Sequence, residues 1–378
     1  LAADEASPIV WGQSVGAGII VGTEGEEYLI VSSDGSTSLT PTNFQAKRQS
    51  QYGSANVEPL VIGARVQFVK SGGKYLLDYQ FAYAEQQFFA LALNELSDHL
   101  TISGIKQLAF SRRPEEIAWI ITEDGRLLTM TYRREKAEIA WAWQQSDATF
   151  DSIAVTYGTD LCDFVYVAST RIIQGTVKRF IERVDLQTFI ELDADDIDEA
   201  ERRSLLTYLD CSKRVTGTFT TTASGFSHLE GEIVALQVDG TRHEPKRVVG
   251  GVVQLDRPAS SVLAGIDYAD NTVWSAFHTD LSQNPGTTQG KRYKVGQIDA
   301  RVYKTTAFRT SDSLEDTNKW DAKILEATDD VNAVHPARSK IVRCCGAPKW
   351  QDDLTLTLRA TGAEPVAFLA IIADLEVS

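Results

Sequence analysis

The chain has no apolar run of the roughly 18 residues that a membrane helix needs, and no basic stretch leads into an apolar one at its start. Neither a helical membrane span nor a secretion signal is therefore expected. Methionine is nearly missing: Met130 is the only one, it falls inside an expected hairpin, and the chain opens on Leu1. The expectation is a piece of a longer product, or a trimmed one. Cysteine is scarce as well, with 4 residues, Cys162, Cys211, Cys344 and Cys345, and no Cys-x-x-Cys pair. That excludes a disulfide framework and points to buried free thiols in a reducing compartment. The vicinal pair Cys344-Cys345 has no His or further Cys at ligand spacing beside it. The 5 histidines, His99, His228, His243, His278 and His335, include no pair four apart, so metal-assisted hydrolysis has no support. Basic charge is also short, with 37 Lys and Arg against 52 Asp and Glu and a net charge of −15. Tight binding of nucleic-acid phosphates needs clustered cations and is disfavoured. An acidic surface suits plain solubility, and it also suits a wall that DNA must pass without sticking.

What the chain does have is 43% apolar residues, much of it β-branched and aromatic, in short runs broken by turn residues. Gly18–Val21 and Tyr28–Val31 read as strands, followed by a turn at Ser33-Asp34-Gly35. Val66–Val69, the tight turn Ser71-Gly72-Gly73 and the alternating run Tyr75–Phe81 form a second unit. Glu115–Tyr132 holds two apolar runs around Asp124-Gly125, a hairpin signal, and a strand through Trp141 and Trp143 follows. The pattern then restarts: Ile153–Tyr157 echoes Ile105–Ala109, and Phe164–Ala168 echoes Ala118–Thr122, at a spacing of about 46–48 residues. Recurrence at that period, with three or four strands per unit, is how propeller blades look in sequence. About four such units fit between residues 9 and 190, too few for comfortable closure without strands from elsewhere.

From Glu191 to Cys211 the texture changes: acids precede Arg202 and Arg203 at helical spacing, and a helix is expected there. A calcium-loop reading of its Asp-rich start fails, because the required Gly and carboxylate series are missing. The rest is again β-like. Gly231–Val238 and Arg247–Leu255 read as strands, Thr279–Lys291 as a long loop, and strands resume over Tyr293–Phe308. Ser311–Asp330 reads as an exposed excursion, Leu354–Leu358 as an alternating strand, and Pro365–Ile372 as a fully buried terminal strand. The expected fold class is mainly β with few helices. Residues 1–210 are read as propeller-like blades, partial or completed by other segments. Residues 211–378 are read as a β-rich, platform-type region able to return strands to the propeller.

Catalytic motifs were sought among these elements. Gly12-Gln13-Ser14-Val15-Gly16 fits a nucleophile elbow by pattern, but Ala17–Gly22 after it is strand chemistry where the elbow needs a helix. The same glycines miss the dinucleotide-loop spacing. Trp119, Trp141 and Trp143 read as sheet core in preference to a sugar platform. No catalytic, cofactor-binding or metal-binding residue is expected, and no enzyme.

An ordered series of motifs carries a resemblance. It comprises Pro41–Phe44 with Gln49–Ser54, Ser103-Gly104-Ile105, Glu123–Tyr132, Phe180–Arg183, Tyr208-Leu209-Asp210, Gly225–Gly231 and Gly286–Lys291. In this order, over nearly the whole chain, the set resembles the tail nozzle proteins, or tail tubular proteins B, of short-tailed bacteriophages and related prophages. The resemblance implies a structural protein of the virion tail, made in the bacterial cytoplasm, with a β-propeller and a β-rich platform. It implies a ring, typically a hexamer, around the channel through which DNA is ejected without specific binding. The implied partners are other copies of the chain, a tail adaptor and tail fibres. The alternative is a β-propeller glycan-binding or depolymerase-type protein at the phage or cell surface, with carboxylates and tryptophans gathered in one cleft.

Overall fold

In a computed structural model, the described residues are 7–16, 18–35, 38–82, 87–133, 136, 138–158, 162–186, 206–267, 272–277, 292–311, 321–324, 334, 336–344, 350, 354–360 and 364–377. The protein is mainly β, built from antiparallel sheets. Helix among the described residues is limited to short 3-10 turns such as Glu95–Leu100 and Ser227–Leu229, and none is long and apolar enough to cross a membrane. The chain forms two compact units: Leu1–Ile172 with Thr176–Ile190, and Ile173–Gly175 with Glu191–Ser378.

In the first unit the sheets follow one another along the chain, each a meander whose strands pair in sequence order. The first sheet has Ile9–Val15, Gly18–Thr23, Glu27–Ser32 and Phe44–Ser50. The second has Leu60–Ile62, Arg65–Val69, Leu76–Ala82 and Gln87–Ala92. The third has Ile105–Ser111, Ile117–Thr122, Leu127–Arg133 and Glu138–Gln144, and the fourth has Thr149–Thr156, Phe164–Ile173 and Thr176–Val184. The segments that echo one another in sequence thus occupy the first and second strands of the third and fourth sheets.

Consecutive sheets pack face to face. Trp11, Ile20 and Leu29 of the first sheet meet Phe68, Tyr79 and Phe88 of the second. Val69 and Leu76 on the other side of the second sheet meet Ala118, Ile120 and Met130 of the third. Ile117, Trp119 and Ile121 then meet Phe150, Ile153 and Val165 of the fourth. Side chains alternate across a strand, so a sheet covered on both faces must be apolar at odd and even positions alike. The strand Ile117–Thr122 is buried at every residue for this reason. Among the described residues, packing of the fourth sheet is found on one face, and Tyr166, Ile172, Val177 and Ile181 stand exposed.

The second unit holds a sheet in the order Asp210–Phe219, Ala259–Ile266, Ile233–Val238, Thr241–Arg247, beside the two-stranded ribbon Thr222–Ser224 with Val252–Gln254. Two further sheets stack through Phe308 and Leu358 on one and Ile298, Ala300 and Val302 on the other, with Phe308 and Phe368 edge-on at 5.1 Å. One of them pairs Thr272–Phe277, Leu354–Arg359, Ala307–Ser311 and Asp321–Ile324; the other pairs Arg338–Cys344, Tyr293–Thr305 and Phe368–Val377.

Several sequence expectations are corrected here. Arg247–Leu255 is not one strand: the chain turns at Gly250-Gly251, both at positive φ, between Arg247 and Val252. Within the expected excursion 311–330, Asp321–Ile324 is a strand paired with Ala307–Ser311's neighbourhood through Ala307↔Ile324. The terminal apolar run is not fully buried, since Leu369 and Ile372 are 58% and 51% exposed; among the described residues one face of the strand meets another sheet. Asp210 and Cys211, at the end of the expected helix, open a strand, whereas 187–205 and the expected loop at 279–291 lie outside the described residues.

The packing predicts a contrast. Ile120→Ala, at a fully buried position between two sheets, should cost about 2–5 kcal/mol in urea denaturation. Ile181→Ala, at a site 83% exposed, should stay within about 0.5 kcal/mol of the parent.

Candidate functional site

The features that recur in the first unit are the joints between consecutive sheets. At each one the chain leaving a sheet, or entering the next, donates a backbone N–H to the central turn of the earlier sheet. Ser54 donates to the Thr23 carbonyl at 2.8 Å, Ile105 to that of Gly73 at 2.8 Å, and Phe150 to that of Gly125 at 2.8 Å. The turn of the later sheet bonds back to the linker: Ser71 N–H to Gly53 O at 2.9 Å, and Glu123 N–H to Gly104 O at 2.9 Å. Gly53 is required in this geometry, because its φ is 70° and an added Cβ would strike the Glu24 carbonyl oxygen. Fully buried Asn94 closes the second joint, accepting from Leu76 N at 3.1 Å and donating to Lys74 O at 2.9 Å and Thr101 Oγ1 at 2.7 Å. In the third joint the Gln107 carboxamide acts as a substitute peptide, donating to Ile153 O at 2.8 Å and accepting from Ile153 N at 3.0 Å.

Each joint also holds a buried carboxylate. Glu27, between the first and second sheets, accepts from Ser50 Oγ at 2.5 Å, Tyr52 N at 3.2 Å and Ser54 Oγ at 3.2 Å. Burial pushes its carboxyl above the usual range despite those donors. Tyr79, whose hydroxyl lies 2.7 Å from Ser50 Oγ, is likewise raised by burial. Asp78, in the second sheet, accepts from Tyr132 of the third at 3.0 Å and from Arg65. Burial and the adjacent Asp78 raise the Tyr132 hydroxyl. Asp163, just before the second strand of the fourth sheet, reaches across to the third: it accepts from Arg112 N at 2.8 Å, Arg113 N at 3.2 Å and the Arg113 guanidinium at 3.0 Å. Burial favours its neutral form, but these donors outweigh it and hold its carboxyl below the usual range.

The other residues tested in the sequence lie elsewhere. Ser14 stands opposite Ile19 in a hairpin, so no strand-to-helix elbow forms around it. His228 bonds the Cys211 carbonyl at 3.2 Å, His243 lies 3.2 Å from Asp256, and His99 sits in a 3-10 turn; His278 and His335 are outside the described residues. No group of three His, Cys, Asp or Glu able to hold a metal occurs among the described residues. Cys344 is buried between stacked sheets, and Cys345 is outside the described residues. Trp119 is core, donating to Ser111 Oγ at 2.9 Å, and Trp141 donates to Leu93 O at 2.9 Å. Trp143 is 48% exposed beneath the Arg126 guanidinium, 5.2 Å from its ring centre.

In the second unit, Gly225–Gly231 makes an analogous latch. The N–H groups of Gly225 and Phe226 donate to Gly251 O at 3.1 and 3.0 Å, and Glu230 accepts from Gly250 N and Gly251 N at 2.8 and 2.6 Å. In the first unit the sheets and joints define an architecture of serially stacked antiparallel meanders. No protein-family model matches the chain, and no curated protein matches it.

Two predictions concern the joints. Gly53→Ala should destabilise by about 2 kcal/mol or more, since it adds a clash to a left-handed backbone. Gly63→Ala, at φ 63° with open space around it, should cost about 1 kcal/mol, and urea midpoints separate the two. The carboxylates should act oppositely with pH. Glu27 holds its proton more tightly folded than unfolded, so its contribution falls as pH rises from 4.5 through its folded pKa. Asp163 is the reverse: its contribution is present above 3.8 and is lost as pH falls through its lowered folded pKa. Glu27→Gln should therefore gain stability relative to the parent as pH rises through the first window, and Asp163→Asn should flatten the acid limb.

Proposed function

We propose that the chain is a structural protein of a phage or prophage tail, forming part of a ring-shaped nozzle through which DNA is ejected. The observation that supports this best is where several of the motifs that resemble those of tail nozzle proteins fall. Gln49–Ser54 wraps Glu27, Ser103-Gly104-Ile105 and Glu123–Gly125 make the second and third joints, and Gly225–Gly231 is the latch of the second unit. Residues that tie sheets together are what a load-carrying wall needs, whereas a shared catalytic or ligand-binding motif would converge on one cleft.

In this reading the serial sheets are blades of a propeller, the second unit is the platform, and the ring is a hexamer in contact with a tail adaptor and fibres. The acidic balance of −15 keeps the wall from gripping DNA in transit. Ring closure requires each copy to repeat one head-to-tail contact, so the working surface is broad and shallow. The glycan-binding alternative draws on Trp143, but a single half-exposed ring with Arg126 over it offers a sugar little stacking area.

Negative-stain microscopy of the full-length natural product tests the proposal. Rings of about six subunits with a central pore are expected. A monomer that cleaves a bacterial glycan would overturn it.

A further inference from the structure

The seam between the second and third sheets contains three buried polar atoms, on Gln67 and Asp78, without a hydrogen-bond partner among the described residues. Gln67 and Asp78 are cross-strand partners in the second sheet, 0% and 2% exposed. Asp78 Oδ2 is occupied by Tyr132 and Arg65, and Arg65 also reaches Tyr132 Oη at 3.1 Å and Gln80. Asp78 Oδ1, Gln67 Oε1 and Gln67 Nε2 are buried with no hydrogen-bond partner among the described residues. Leaving a buried donor or acceptor unmade costs about 1–3 kcal/mol per group, so three adjacent ones call for a ligand.

We propose that this seam is a binding site for one ordered water molecule, integral to the fold. The chemistry selects water. The ligand must accept from an amide N–H and donate to two oxygens, and a water does all three at once. It closes a ring with the Gln67 amide, accepting from Nε2 and donating to Oε1, and gives its second hydrogen to Asp78 Oδ1. Three bonds is the usual number for a buried water. A metal cation fits poorly: Arg65 already neutralises Asp78, and the Nε2 hydrogens would face the ion. A direct bond from Gln67 Nε2 to Asp78 Oδ1 would leave Oε1 unsatisfied. The water thus links neighbouring strands of one sheet beside the Asp78–Tyr132 bond that crosses to the next.

The test has two arms on the full chain. A crystal structure at about 1.5 Å should show a water within hydrogen-bond reach of all three atoms. A direct Gln67–Asp78 bond without that density overturns the proposal. The second arm is Gln67→Leu, which removes two of the water's partners and strands Asp78 Oδ1. The thermal midpoint should fall by roughly 2–4 °C, although the new side chain is apolar. Were the carboxamide simply unsatisfied, the same substitution would relieve a penalty and raise the midpoint, and that result also overturns the proposal. Should the variant not fold, the crystallographic arm on the parent chain stands alone.

Discussion

The backbone hydrogen bond from a linker to the central turn of the preceding sheet is the constraint on which the first unit depends. Each meander is apolar on at least one face, and the inner ones on both, so no sheet can stand alone in water. Hydrophobic burial supplies the attraction but is indifferent to exact placement. The bonds at Thr23, Gly73 and Gly125 fix where the next sheet begins, and thereby which of its residues face which neighbour.

Register shows why burial is not enough. In an ordinary half-buried strand, a slip of one residue turns the apolar set toward water and is self-correcting. In Ile117–Thr122 the set on one face is Ile117, Trp119 and Ile121, and on the other Ala118 and Ile120, so a slip exchanges one apolar face for another. What distinguishes the right alignment is polar: Trp119 to Ser111 within the sheet, and Tyr132 to Asp78 across the seam. Buried ionised groups seldom add stability over an apolar replacement, and their value here lies in discriminating between alignments.

The legible part of the fold was its local part. Alternation read Tyr75–Phe81 as a strand, one residue off at each end from the observed Leu76–Ala82, and Asp124-Gly125 marked the turn between Ile117–Thr122 and Leu127–Arg133. The recurrence of strand groups along the chain is likewise present as consecutive sheets. The joints were not legible, because a backbone donor such as Ser54 N–H leaves no mark on residue type, and only Gly53 beside it hints at a tight approach. Gln67 within Val66–Val69 carries no mark of its surroundings in the sequence; it is buried because a further sheet lies on that side. The terminal strand went the other way, since an apolar run does not reveal that Leu369 and Ile372 stand exposed. In each case the deciding information was the presence or absence of a neighbour distant in sequence.

The Gly125 joint carries a consequence for how the chain reaches this state. Each meander pairs strands adjacent in sequence, and each seat for the next sheet is a turn finished earlier in the chain. The pairings within a meander close small loops, which lowers the entropy cost of forming each sheet before the longer joint bonds are made. The first unit can therefore assemble in the order of its synthesis, with each completed sheet serving as the template for the one emerging behind it.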